Sequence, residues 1–70
     1  MQTPETVAGE ARAALARRRI TQKQLAKDTG RSQTYWSRRL SGEIALDVAD
    51  LAVIARVTGV PMADLVAGAA

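Results

Sequence analysis

The chain has no cysteine, no histidine and no phenylalanine, and its 70 residues include one tryptophan, one tyrosine and two prolines. Without cysteine there is no disulfide and no thiol nucleophile, and without histidine as well the usual zinc-ligand spacings are ruled out. Such a chain suits a reducing cytosol, and it calls for no metal and no cofactor. No apolar run approaches the roughly 20 residues that a bilayer span needs. The opening stretch MQTPETVAGE lacks the basic start and apolar run of a signal peptide. A soluble protein in the cytoplasm, with no membrane partner, is the expectation. Repeats, linkers and low-complexity tracts are also missing, apart from a small-residue tail, AGAA at 67–70, that is expected to fray.

Seventy residues cannot divide their apolar surface between two cores, so residues 1–70 read as one domain. Nearly half of the chain is apolar, and almost all of that is Ala, Val, Leu and Ile. The core must then be close-packed from small side chains, and the alanines favour helix. Charge is unevenly spread. Residues 12–39 hold Arg12, Arg17, Arg18, Arg19, Lys23, Lys27, Arg31, Arg38 and Arg39 against the single acid Asp28, a net +8. The rest of the chain sets Arg56 against Glu5, Glu10, Glu43, Asp47, Asp50 and Asp64, a net −5. A basic band backed by acid is the electrostatic footprint of a nucleic-acid binder, although a basic helix can also be only a solvated face.

Caps and breakers divide the sequence into five short helices. Thr3 before Pro4 offers an N-cap, and Val7, Ala11, Ala14 and Leu15 recur at helical spacing up to the arginines at 17–19. Thr21 caps a second helix with Leu25 and Ala26 turned inward, and Gly30 stands where a left-handed stop is needed. Ser32 then caps a third helix from Gln33 to about Leu40, closed by Ser41 and Gly42. Asp47, with Asp50 three residues on, opens a fourth helix, with Val48, Leu51, Ala52, Ile54 and Ala55 expected on its buried face and an end near Gly59. Pro61 begins a fifth through Leu65 and Val66. The fold class predicted is all-α.

The segment RSQTYWSRRLSG at 31–42 places both aromatics among arginines, hydroxyls and an amide. At about 100° per residue, Trp36 and Leu40 share one narrow sector of the third helix, with Ser37, Thr34 and Arg38 in the opposite half. Tyr35 and Arg39 lie on one shoulder, and Gln33 at the N-terminal end of the other. Trp36 thus anchors a polar helix to the core, and Tyr35 is expected at its edge with the hydroxyl outward. The face left exposed carries an amide, hydroxyls and a guanidinium, groups that match base edges in the major groove, while backbone N–H groups and arginines match phosphates.

In these residues the sequence resembles the lambda-repressor-like (phage Cro and repressor, XRE-type) helix-turn-helix domains. The resemblance runs from about Val7 to Val66 and centres on TQKQLAKDTGRSQTYWSRRLSG, the motif spanning about 21–42. Gln22, Leu25, Ala26, Gly30, Ser32, Gln33 and Gly42 stand in register with positions that recur in that family. The later segment ALDVADLAVIARVTGVPMADLV is similar to the family's fourth and fifth helices. The resemblance implies a compact five-helix domain, with the helix-turn-helix at helices 2 and 3, that regulates transcription by reading double-stranded DNA in the major groove.

Carried over by position, it implies base contacts from Gln33, Thr34, Ser37 and Arg38, with Gln33 on an adenine, Thr34 on a thymine methyl and Arg38 on a guanine. Gln22 would bind a phosphate from the start of helix 2 and brace Gln33. Lys23, Arg31, Ser32, Tyr35, Arg39 and Ser41, with the loop to Glu43, would hold the DNA backbone. Read without the resemblance, Gln22 can equally be a helix-start residue and Arg38 a solvated cation. Two departures stand out. The family has apolar residues where this chain has Arg31 and Arg39, which would deepen phosphate contact. Leu15 and Leu40 replace an Arg–Glu pair found in many members, a change that an apolar pair tolerates because desolvation consumes much of the ionic gain.

The chain stops where the family's DNA-binding domain stops, which favours a small Cro-like or control-protein regulator over a full-length repressor. Members of this size commonly pair through helices 4 and 5, and Val60, Met62, Leu65 and Val66 could supply the patch for a homodimer on a pseudo-palindromic operator, or could be core. Another reading keeps the fold but makes it a protein-interaction module, coactivator or antitoxin-like, with only nonspecific DNA affinity. The unbroken basic band argues against that. An enzyme, or any protein with a small-molecule substrate, is disfavoured: Asp47 and Asp50 sit at capping spacing with no base nearby.

Overall fold

The structure, a computed structural model, describes residues 4–67. Five helices follow one another: α1 Pro4–Arg17, α2 Gln22–Thr29, α3 Gln33–Leu40, α4 Val48–Thr58 and α5 Met62–Ala67. No strand occurs among the described residues, so the fold is all-α as expected. Thr3 and the tail beyond Ala67 lie outside the described residues.

Helices α2, α3 and α4 each begin where a side chain can take up an orphan backbone donor. Thr21 Oγ1 accepts the Gln24 N–H at 3.0 Å, and Ser32 Oγ accepts the Tyr35 N–H at 3.0 Å. Asp47 and Asp50 form a reciprocal capping box at the start of α4. The turn between α2 and α3 takes three residues, and Gly30 makes it possible by adopting φ 71°, a left-handed conformation without penalty for glycine. At the end of α1 no glycine is available. Arg19 adopts φ 57° there, and the Ile20 N–H reaches back to the Leu15 carbonyl at 2.9 Å. An L-residue pays for this conformation in steric strain.

The core is small and aliphatic around one large ring. Ala11, Ala14 and Leu15 of α1 cluster with Leu25 and Ala26 of α2, Trp36 and Leu40 of α3, Leu51 and Ile54 of α4 and Leu65 of α5, and Ala8 of α1 is also buried. The alanines let α1 come close to its neighbours, and α1 packs on α3, α4 and α5 while α2 packs on α3. Leu15 and Leu40 both lie in this core, and the Arg12 guanidinium donates to the Leu40 carbonyl at the C-terminal end of α3. On α4 the apolar pattern misleads. Val48 is 72% exposed and Ala52 is also exposed, whereas Asp50 and Thr58 are buried beside Leu51 and Ile54. The buried sector of α4 is centred between residues 51 and 54, and at 100° per residue positions 48 and 52 turn away from it.

Trp36 ties α2 to α3. Its indole N–H donates to Thr29 Oγ1 at 3.0 Å, and that hydroxyl donates in turn to the Leu25 carbonyl at 2.7 Å. Thr29→Val keeps the volume and removes the acceptor. The variant is expected to lose about 1–3 kcal/mol, the cost of a buried donor left unpaired, seen as a lowered urea midpoint at unchanged m-value. An unchanged midpoint would mean that the indole N–H finds another partner.

Candidate nucleic-acid interface

The inward pair Trp36 and Leu40 fixes which side of α3 meets solvent. Gln33, Thr34, Ser37 and Arg38 are all exposed, while Tyr35 and Arg39 are half-buried on the shoulder. The four proposed base contacts therefore share the outer part of one eight-residue helix.

The shoulder is built differently from expectation. Tyr35 does not point its hydroxyl outward: Oη donates to Asp50 Oδ1 at 2.6 Å. Arg39 Nε donates to Asp50 Oδ2 at 3.0 Å, and Arg39 Nη1 donates to the Tyr35 carbonyl at 3.3 Å. The reason is the carboxylate. Asp50 is 4% exposed, and a buried anion must find hydrogen-bond donors and a cation; the i, i+4 pair on α3 supplies both. The Arg39 guanidinium also lies 3.7 Å from the Tyr35 ring centroid and that of Arg31 lies 4.7 Å from it, so the phenol carries two cations on its π system. The Tyr35 and Trp36 rings meet edge to face at 5.2 Å. Two residues assigned to the DNA backbone, Tyr35 and Arg39, are thus engaged within the protein.

The hydrogen bond that the Tyr35 hydroxyl donates to Asp50 raises the Tyr35 pKa above its ordinary 10.0; burial and the Asp50 charge add to the rise, and Arg39 and Arg31 oppose it. A raised folded-state value means that the hydroxyl's contribution to stability is whole below pH 10 and is lost as the pH climbs through the raised value. Ultraviolet absorbance of the single tyrosinate is expected to titrate above pH 10 in the folded chain and at the ordinary value in the unfolded one. Coincident curves would mean that the bond to Asp50 does not persist in solution.

The remaining residues assigned to phosphates are exposed. Gln22 and Lys23 open α2, Arg31 sits in the turn, and Ser32 caps α3 through its oxygen. Ser41 Oγ donates to the Arg38 carbonyl at 2.9 Å and accepts the Glu43 N–H at 3.3 Å, which fixes the loop after α3. An open cleft brings Gln22, Ser37, Leu40 and Ser41 together with Arg12 of α1. Sequence reasoning counted Arg12 only in the basic band and read Asp50 only as a cap. Arg39 was the available signal for Asp50, because an arginine at a half-buried shoulder position requires an anion behind it.

Among the described residues no group of acidic side chains is placed to hold a metal ion, and no helix is long and apolar enough to cross a membrane. Leu65 lies in the core, and Val60, Met62 and Val66 pack against it half-buried, so the residues considered for a dimer patch serve the fold first.

Two capped helices joined by a glycine turn, the second presenting a polar outer face, define a helix-turn-helix domain of the DNA-binding class. A family model described as a helix-turn-helix domain matches residues 7–67, and the chain belongs to that family, in keeping with the lambda-repressor-like resemblance. Neither a curated protein nor a solved structure gives a significant match to the chain.

Proposed function

We propose that the protein is a sequence-specific regulator of transcription, Cro-like or repressor-type, that lays α3 in the major groove of double-stranded DNA. The observation that carries this reading is the division of α3. Its inner face is locked by Trp36 and Leu40, and its outer face offers Gln33, Thr34, Ser37 and Arg38 to a partner. Gln33 and Arg38 have the bidentate groups that suit adenine and guanine, and Thr34 and Ser37 have the short hydroxyls that fit between them. Gln22, Lys23, Arg31, Ser32 and Ser41 approach the phosphates on either side. Two copies on an inverted repeat would set their reading helices about 34 Å apart, one turn of the duplex.

Selection from a randomised duplex library at physiological salt, followed by titration of the winner across salt concentrations, tests the reading. An enriched inverted repeat with a steep negative salt slope is expected. A single enriched half-site would retain the base reading and remove the dimer. No enrichment would favour the interaction-module reading, with the basic band left as a nonspecific surface.

A further inference from the structure

We propose that Asp50 is a positioning residue for DNA reading: through Tyr35 and Arg39 it fixes the roll of α3 about its own axis, and so decides which side chains face the base edges. The inference rests on α3 being the reading helix.

The packing of α3 leaves this degree of freedom to be settled. Its main chain packs on α1 and α2, and its two buried side chains, Trp36 and Leu40, stand one turn apart in the same sector. Two anchors on one line resist translation better than they resist rotation about that line. A second line of anchors is needed off the first, and Tyr35 with Arg39 supplies it, each about 100° around the helix from its neighbour in the core. Both end on the same carboxylate, the phenol on Oδ1 and the guanidinium on Oδ2. Asp50 is itself held, because Oδ2 also accepts the Asp47 N–H at 3.2 Å at the rigid first turn of α4. Every oxygen of the buried carboxylate is used, and the two bonds from α3 reach it along a shoulder that no apolar contact could define as sharply.

A buried ion pair is a poor way to gain net stability, since well-packed apolar residues in its place are often as stable or more so. What the arrangement does supply is a defined geometry. Base-edge hydrogen bonds fail when the donor drifts a few tenths of an ångström or misaligns, whereas long basic side chains follow a phosphate over a wider range. Loss of roll control should therefore damage discrimination between sequences more than affinity for DNA in general.

The test compares wild type with Tyr35→Phe, which deletes only Oη, and Asp50→Asn, which keeps the volume and a capping oxygen. Each is titrated against the selected duplex and a scrambled duplex of equal length at one salt concentration and at a temperature where thermal melts show every variant folded. Thr58→Val serves as the control: it removes a buried hydroxyl bonded to the Ile54 carbonyl and the Val60 N–H at the far end of α4, and so weakens the fold without touching α3. The ratio of selected to scrambled affinity is expected to fall about tenfold or more in Tyr35→Phe and Asp50→Asn, the scale of one lost bidentate base contact. Affinity for the scrambled duplex should stay near wild type, and Thr58→Val should keep the wild-type ratio. If wild type discriminates, Gln33→Ala lowers the preference, and the two shoulder variants still discriminate like wild type, Asp50 is only structural and the proposal is overturned while the base reading stands. If wild type itself does not discriminate, the base reading falls and takes this proposal with it.

Discussion

Trp36→Ala is expected to leave half or more of the chains unfolded at 25 °C. Trp36 is 1% exposed and is the bulkiest of the fully buried side chains, in a core otherwise made of leucine, isoleucine and alanine. Removing a buried tryptophan typically costs about 3–5 kcal/mol through lost transfer free energy and an unfilled cavity. The edge-to-face contact with Tyr35 and the indole bond to Thr29 go with it. A domain of this size has about 3–5 kcal/mol from its core to lose. The loss therefore equals the reserve. Far-ultraviolet circular dichroism and urea titration would show low helicity and no cooperative transition. A variant that keeps its helicity, with a midpoint close to wild type, would mean that the aliphatic residues hold the helices together without the ring.

Gln33→Ala and Arg38→Ala are each expected to weaken binding to the selected duplex by roughly 1–3 kcal/mol, a five- to 150-fold rise in Kd. Both side chains are exposed, so stability should stay within about 0.5 kcal/mol of wild type, and the loss would belong to recognition alone. The two should also differ in kind. Gln33→Ala relaxes preference where an adenine was selected and Arg38→Ala where a guanine was, while Lys23→Ala weakens all duplexes alike and flattens the salt slope by about one. Competition titrations with single-base variants of the selected duplex would read these patterns. Retained specific binding in both α3 variants would remove Gln33 and Arg38 from the base contacts.

The parts of the fold visible in the sequence are those governed by short-range chemistry. Thr21, Ser32 and the Asp47–Asp50 pair cap helices because the donors they satisfy lie three residues away, and Gly30 stops α2 because the backbone there must turn left-handed. The inward placement of Trp36 and Leu40 follows from angular spacing within eight residues. Tertiary pairing was not visible in the same way. The Tyr35 hydroxyl was expected in solvent because nothing near it in sequence accepts its proton; the acceptor is fifteen residues away on another helix. Val48 was expected in the core because it is apolar, yet burial on α4 follows the geometry of packing and admits Asp50 and Thr58 instead. The helix boundaries and the outer face of α3 were thus legible, while the shoulder that holds that face in place was not.

The separation of inner and outer residues on α3 bears on how such a protein can diverge. Positions 33, 34, 37 and 38 are all exposed, so exchanges there should each be close to neutral for folding. If α3 is the reading helix as proposed, a lineage can change the duplex it prefers one position at a time, with every intermediate still folded. Positions 36 and 40 have no such freedom, because any loss there is taken from the small reserve of the whole domain. On that reading, duplicated copies are free to acquire separate sets of target genes while α3 keeps the same inward half.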